Sequence, residues 1–168
     1  METVQTQSKP RVYVETSVIS YACGRANINP VLSARCASSV LLLGAHDIFD
    51  LYASFLVTDE CRVGDQDAAQ RRMQCVAAIP LIESTPDELK QIESVAGQLL
   101  ALKVFPDKSY IDAAHIAFCC VHGIELIASW NFKHIASPWA RQRITIALES
   151  LNLFTPLIAT PDELLEGV

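Results

Sequence analysis

The chain lacks any apolar run approaching the roughly 18 residues of a membrane-spanning helix. Its richest stretch, Val40 to Ala45, is bounded by Ser39 and His46, so no membrane partner is expected. The segment from Met1 to Pro10 is polar, without the apolar core of a signal peptide. It reads as a flexible tail ahead of a single domain over residues 11–168. CxxC spacing is missing among Cys23, Cys36, Cys61, Cys75, Cys119 and Cys120. That argues against a zinc knuckle or disulfide framework and for buried free thiols in a reducing, cytoplasmic setting. GxxxxGKS/T, GxGxxG and GxSxG are all absent, which leaves NTPase, dinucleotide-enzyme and serine-hydrolase readings without their motifs. Glycine and proline are scarce, at 6 and 8 of 168 residues, while 51% of residues are hydrophobic. A disordered chain is therefore excluded, and one compact domain with a real core is expected. Positive charge is short as well: 13 Lys+Arg stand against 19 Asp+Glu, a net charge of −6. Such a molecule has no global field to draw in a polyanion, so nucleic-acid contact must use a local basic patch.

What is present alternates between short apolar strands and helices. Arg11 to Glu15 predicts a β-branched strand stopped by Thr16-Ser17, and Leu51 to Val57 a second. Glu125 to Ala128 and Leu157 to Ala159 predict two more. Helices are predicted over 17–23 and 30–47, after Thr58 as a cap, over 66–76 with Arg71 and Arg72 facing out, and from Asp107 as a cap to His122, ended by Gly123. Ser137-Pro138 opens another. The string Thr-Pro-Asp-Glu-Leu occurs twice, at 85–89 and 160–164. Each copy combines Thr at the N-cap, Pro at the first helical position and Glu three residues later, a capping box that starts a helix. This alternation predicts an α/β fold with a mainly parallel sheet covered on both faces. In such sheets chemistry gathers at the carboxyl ends of the strands.

Acidic residues stand at those ends. Glu15 closes the first strand, Glu60 (with Asp59 beside it) follows the second, Asp112 sits early in the helix after Asp107, and Asn131 comes three residues after Ala128. Three carboxylates and an amide oxygen are hard ligands suited to Mg²⁺ or Mn²⁺. Without a cation such a cluster repels itself, and at least one carboxyl is expected to titrate high. Each acid also has a purely structural reading. Asp112 and Glu60 suit the positive end of a helix, Asp59 competes with Glu60, and Glu15 can simply be solvated. Asp112, His115, Cys119 and His122 form a stripe of zinc-competent types, but a rigid helix spreads them over about 15 Å. One ion cannot reach all four, so His115 and Cys119 read as packing residues or as supports behind the ligands.

These residues resemble a known family. Val12-Tyr-Val-Glu-Thr-Ser-Val-Ile-Ser20 resembles the opening strand of PIN-domain proteins, Asp112-Ala-Ala-His-Ile-Ala117 their Asp-Ala-x-His-Ile-Ala helix, and Ile127-Ala-Ser-Trp-Asn-Phe-Lys-His-Ile135 their late strand and loop. Ile158 to Leu164 is similar to the tail of one branch. The resemblance implies a three-layer α/β/α sandwich and a Mg²⁺- or Mn²⁺-dependent endoribonuclease. In the branch it resembles, this is a VapC-like toxin with a cognate antitoxin and a homodimeric assembly. It implies Glu15, Glu60 and Asp112 as metal-binding acids and Asn131 where many members carry a fourth Asp. Thr16 and Ser17 would lie near the metal or scissile phosphate. Apart from the resemblance, substrate phosphates need cations nearby, and Lys133, His134, Arg141 and Arg143 follow Asn131 as candidates to contact substrate. Two departures are visible: Glu15 replaces the usual Asp, and Asn131 lacks a charge. The alternative function is a PIN-fold module that binds RNA or protein without cutting it. A third reading is a phosphoesterase acting on a small substrate.

Overall fold

Val12, Tyr13 and Val14 are fully buried; side chains on both faces of this strand meet protein, as the centre of a covered parallel sheet requires. The structure is a computed structural model describing residues 8–25 and 29–167. Most of the expected tail, residues 1–7, lies outside them. Lys9 Nζ donates to His46 O (2.6 Å) and Asp50 N to Pro10 O (3.0 Å), so Lys9 and Pro10 are already bonded to the body.

Four strands and eight helices are described: β1 (Arg11–Val14), α1 (Thr16–Ala22), α2 (Pro30–Leu43), β2 (Asp50–Tyr52), α3 (Phe55–Cys61), α4 (Gln66–Val76), α5 (Pro86–Ala101), α6 (Tyr110–His122), β3 (Leu126–Ala128), α7 (Pro138–Ser150), β4 (Leu157–Ala159) and α8 (Pro161–Glu166). The strands form one all-parallel sheet in the order β2-β1-β3-β4. Val12 stands opposite Leu51 on one side and Leu126 on the other, and Ile127 opposite Ile158. The fold class is α/β, as expected. The connection leaving β1 runs to one side of the sheet, and those that follow run to the other. Right-handed crossovers then place α1 and α2 on the face opposite α5, α6 and α7. Packing agrees: α2 lies against α1 and α8, and α5 against α6 and α7. The reversal puts a crevice at the carboxyl ends of β1 and β3, where ligands of open α/β sheets bind.

Both capping boxes form, with Glu88 Oε2 accepting from Thr85 N and Glu163 Oε2 from Thr160 N, each at 2.7 Å. Two element starts differ from expectation. The second strand stops at Tyr52, because Ser54 is extended and caps a helix from Phe55. Thr58 is inside that helix, its hydroxyl donating to Phe55 O (2.8 Å). Asp107 does not cap α6: Ser109 does, after a turn closed by Ser109 N on Pro106 O (2.8 Å), and Asp107 pairs with Lys103 (2.7 Å) instead. Gly123 ends α6 in the left-handed region at φ +59° with open space where a Cβ would sit. Gly123→Ala should therefore cost about 1 kcal/mol from backbone conformation alone, read as a lower urea midpoint at unchanged slope.

Candidate metal centre

Glu15 follows β1 directly and occupies the N-cap position of α1 in an extended conformation, its backbone N–H continuing the ladder to Ala128 O (3.1 Å). The residue is only 4% exposed, so its carboxylate needs donors. Two hydroxyls supply them on a single oxygen: Ser129 Oγ donates to Glu15 Oε2 (2.8 Å), as does Ser17 Oγ. Ser17 Oγ in turn accepts from Trp130 N (2.8 Å). Both donors on Oε2 leave Oε1 for another partner.

Glu60 reaches the same crevice because α3 begins at Phe55 with Leu56, Val57 and Cys61 turned into the core. Its Oε2 accepts from Thr16 Oγ1 (2.5 Å) and from His115 Nε2 (2.8 Å). Asp59 points outward and pairs with Arg62 (2.8 Å), which settles the competition between the two acids. His115 is fully enclosed in α6, and its other nitrogen, Nδ1, lies 2.7 Å from the Tyr13 hydroxyl, itself 2.7 Å from Ser54 Oγ. With a neutral ring, Ser54 donates to Tyr13, Tyr13 to Nδ1, and Nε2–H to Glu60; with a charged ring, Nδ1–H donates to Tyr13 and Tyr13 to Ser54.

This contact governs the titration of Glu60. Burial pushes its carboxyl up, but the hydrogen bond and charge of His115, together with the Thr16 hydroxyl, outweigh it and hold it below the usual value. Burial likewise pulls the His115 ring down. The bond to Glu60 and the charges of Glu15, Glu60 and Asp112 outweigh that and raise it. Burial, first of all, drives the Tyr13 phenol well above its ordinary range, so it stays a neutral hydroxyl.

One donor atom each from Glu15, Glu60 and His115 lie within 4.8 Å of one another. Donors around one divalent ion at about 2.1 Å stand about 3–4 Å apart, so a small inward shift closes the group on a cation. Asp112 lies outside this trio, one turn before His115 on α6, with Oδ1 accepting from Asn131 Nδ2 (2.7 Å). Asn131 spends its amide oxygen on His134 N (3.1 Å); it fixes Asp112 rather than turning toward the trio. Cys119 and His122 separate from His115 as the helical spacing implies. Cys119 is buried, and His122 Nε2 sits 2.8 Å from Ser84 Oγ.

The expected basic rim divides. Lys133 is exposed and without an ion pair among the described residues. Arg141 is held by both oxygens of Glu163 (3.1 and 2.7 Å) and by Ala136 O (2.7 Å), which commits it to joining α7 to α8. Arg72 does not face out: it clamps Cys61 O (3.2 Å) and Val63 O (2.6 Å). No family model matches this sequence, and no curated protein does either. The chemistry must be read from the arrangement.

That arrangement could hold a divalent cation through the Glu15 and Glu60 carboxylates, with His115 joining only if Nε2 gives up its bond to Glu60. Sequence reading missed Ser129 and Tyr13, which carry no chemical signal as a small loop residue and a strand aromatic. It also set His115 aside as support; its spacing of three from Asp112 was the available sign.

Proposed function

We propose that the chain is a Mg²⁺- or Mn²⁺-dependent endoribonuclease of PIN type, acting in the cytoplasm as the toxin of a toxin–antitoxin pair and working as a homodimer. The observation that carries the reading is the convergence of Glu15 and Glu60 from different elements on the β1–β3 crevice, with His115 within reach and Asp112 one turn away. The PIN-like sequence blocks support it. So does the exposure of Glu60, whose side chain is 37% open to solvent while Glu15 and His115 lie buried beside it. An acid reached from the surface is accessible to a polymer backbone.

A bound divalent ion would supply an activated water and offset charge on the phosphate. The protein's part is placement. Ser17 and Ser129 fix Glu15, Thr16 and His115 fix Glu60, and Asn131 fixes Asp112 through Oδ1. Lys133 offers a free cation to the substrate backbone. Non-cutting RNA binding is favoured by one observation, that Glu60 Oε2 is already shared by two donors. Cleavage of single-stranded RNA by wild type and Asp112→Asn in Mg²⁺ and in Mn²⁺ separates the two. Wild-type cleavage that collapses in the variant is expected; equal background in both proteins and both metals overturns the nuclease reading.

A further inference from the structure

Arg35 on α2 is half-buried, and among the described residues no carboxylate lies within ion-pair distance of it. In a chain with six more acids than bases, a guanidinium left without a counter-charge calls for a reason. Its surroundings are aromatic. The guanidinium carbon lies 4.9 Å from the ring centre of Phe132, 5.4 Å from Trp130 and 5.8 Å from Tyr21, and Nη1 donates to the Tyr21 hydroxyl (3.1 Å). Stacking on ring faces holds the cation without neutralising it, so it keeps its attraction for an anion.

Phe132 completes the picture. It is 38% exposed and is the next residue after Asn131. Its loop is stitched to the acids: Ser129 to Glu15, Trp130 N to Ser17, Asn131 to Asp112. Trp130 behind it is anchored by Nε1 on Ser39 Oγ (2.8 Å), and Phe132 N is bonded to Trp130 O (2.8 Å). A partly exposed aromatic ring, beside a guanidinium and the exposed Lys133 that have no ion pair among the described residues, has the composition of a single-strand nucleotide subsite: a π-face for the base and cations for the phosphates.

We propose that Phe132 and Arg35 form a base-stacking subsite for one nucleotide of a single-stranded RNA, flanking the metal centre. The base stacks on the open side of Phe132 and Arg35 attracts a neighbouring phosphate. The subsite is sequence-tolerant, because every base offers a π-face, and it sets which nucleotide lies next to the scissile bond. It rests on the ribonuclease reading above.

The test uses a short fluorescent RNA and a set of the same RNA with one abasic position moved along it. Affinity is measured by anisotropy in Mg²⁺ on a Glu15→Gln background that does not cut. One abasic position should weaken binding about tenfold. Phe132→Leu, which keeps the apolar bulk and removes the π-face, should weaken the intact RNA by a similar factor and be insensitive to that abasic position. Arg35→Lys keeps the charge without the planar stacking and should fall between. If RNA is bound and wild type cuts it, yet no abasic position distinguishes Phe132→Leu from its parent, the subsite is overturned while the ribonuclease reading stands. If wild type neither binds nor cuts RNA, both fall.

Discussion

Glu15→Gln should lower RNA cleavage by at least about 100-fold, because even partners that merely orient metal ligands cost 10–100-fold. The substitution is nearly isosteric, and the hydrogen bonds dictate its orientation. Ser17 and Ser129 both donate to Oε2, so the amide must turn its carbonyl oxygen to the hydroxyls. The NH₂ group is then left where Oε1 faces the crevice. A donor with partial positive charge stands where a cation needs a lone pair. Fold and side-chain volume are kept, so the loss is separable from unfolding by a second measurement. Mn²⁺ should raise the melting temperature of wild type, since a ligand at 100 times its dissociation constant contributes about 2.7 kcal/mol. It should leave the melting temperature of Glu15→Gln nearly unchanged. A variant with wild-type cleavage and a full Mn²⁺-induced shift would remove Glu15 from the centre.

Tyr13→Phe should destabilise the protein by about 1–3 kcal/mol, although it removes one oxygen and no apolar bulk. The phenol is wholly buried between Ser54 and His115, and its loss leaves both facing a ring that cannot hydrogen-bond. The same network gives the metal-free protein a pH signature. His115 titrates above its ordinary value of 6.5, so its contribution is complete below that pH and is lost as pH rises through the higher folded value. Glu60 titrates below its ordinary value of 4.5; its contribution is present above that pH and is lost as pH falls through the lower folded value. Both act together between about 4.5 and 6.5, and metal-free stability should be greatest there. Denaturant titrations across pH in chelator would show this, and Tyr13→Phe should fall below wild type throughout. Stability of the metal-free protein that rises steadily from pH 6 to 9 would contradict the His115–Glu60 pairing.

The parts of this protein legible in the sequence are those that depend on local chemistry. Thr85-Pro86-Asp87-Glu88 and its copy at Thr160 fix their helices through bonds spanning three residues, and Gly123 ends α6 through its own φ. The apolar stretches around Val12, Leu51, Ile127 and Ile158 name the strands, though not their order. Phe55 to Val57 misled, because a short apolar run is shared by buried strands and buried helix faces. At the site, the acids were visible as residue types at strand ends. Their partners were not, because Ser129 reaches Glu15 across 114 positions and Tyr13 reaches His115 across 102. Arg141 read as a substrate contact and Arg72 as an outward-facing side chain for the same reason: nothing local reveals that Glu163 or the Cys61 carbonyl occupies them.

The loop leaving β3 carries a demand of another kind. Ser129, Trp130 and Asn131 address Glu15, Ser17 and Asp112 one after another, so three consecutive positions are matched to the start of α1 and to the first turn of α6. Residue identity has some latitude here, but length has none. One residue gained or lost after Ala128 would shift every one of these attachments at once and leave both acids unheld. Most surface connections absorb insertions; this one behaves as a fixed-length gauge, and any working version of the centre must keep its spacing.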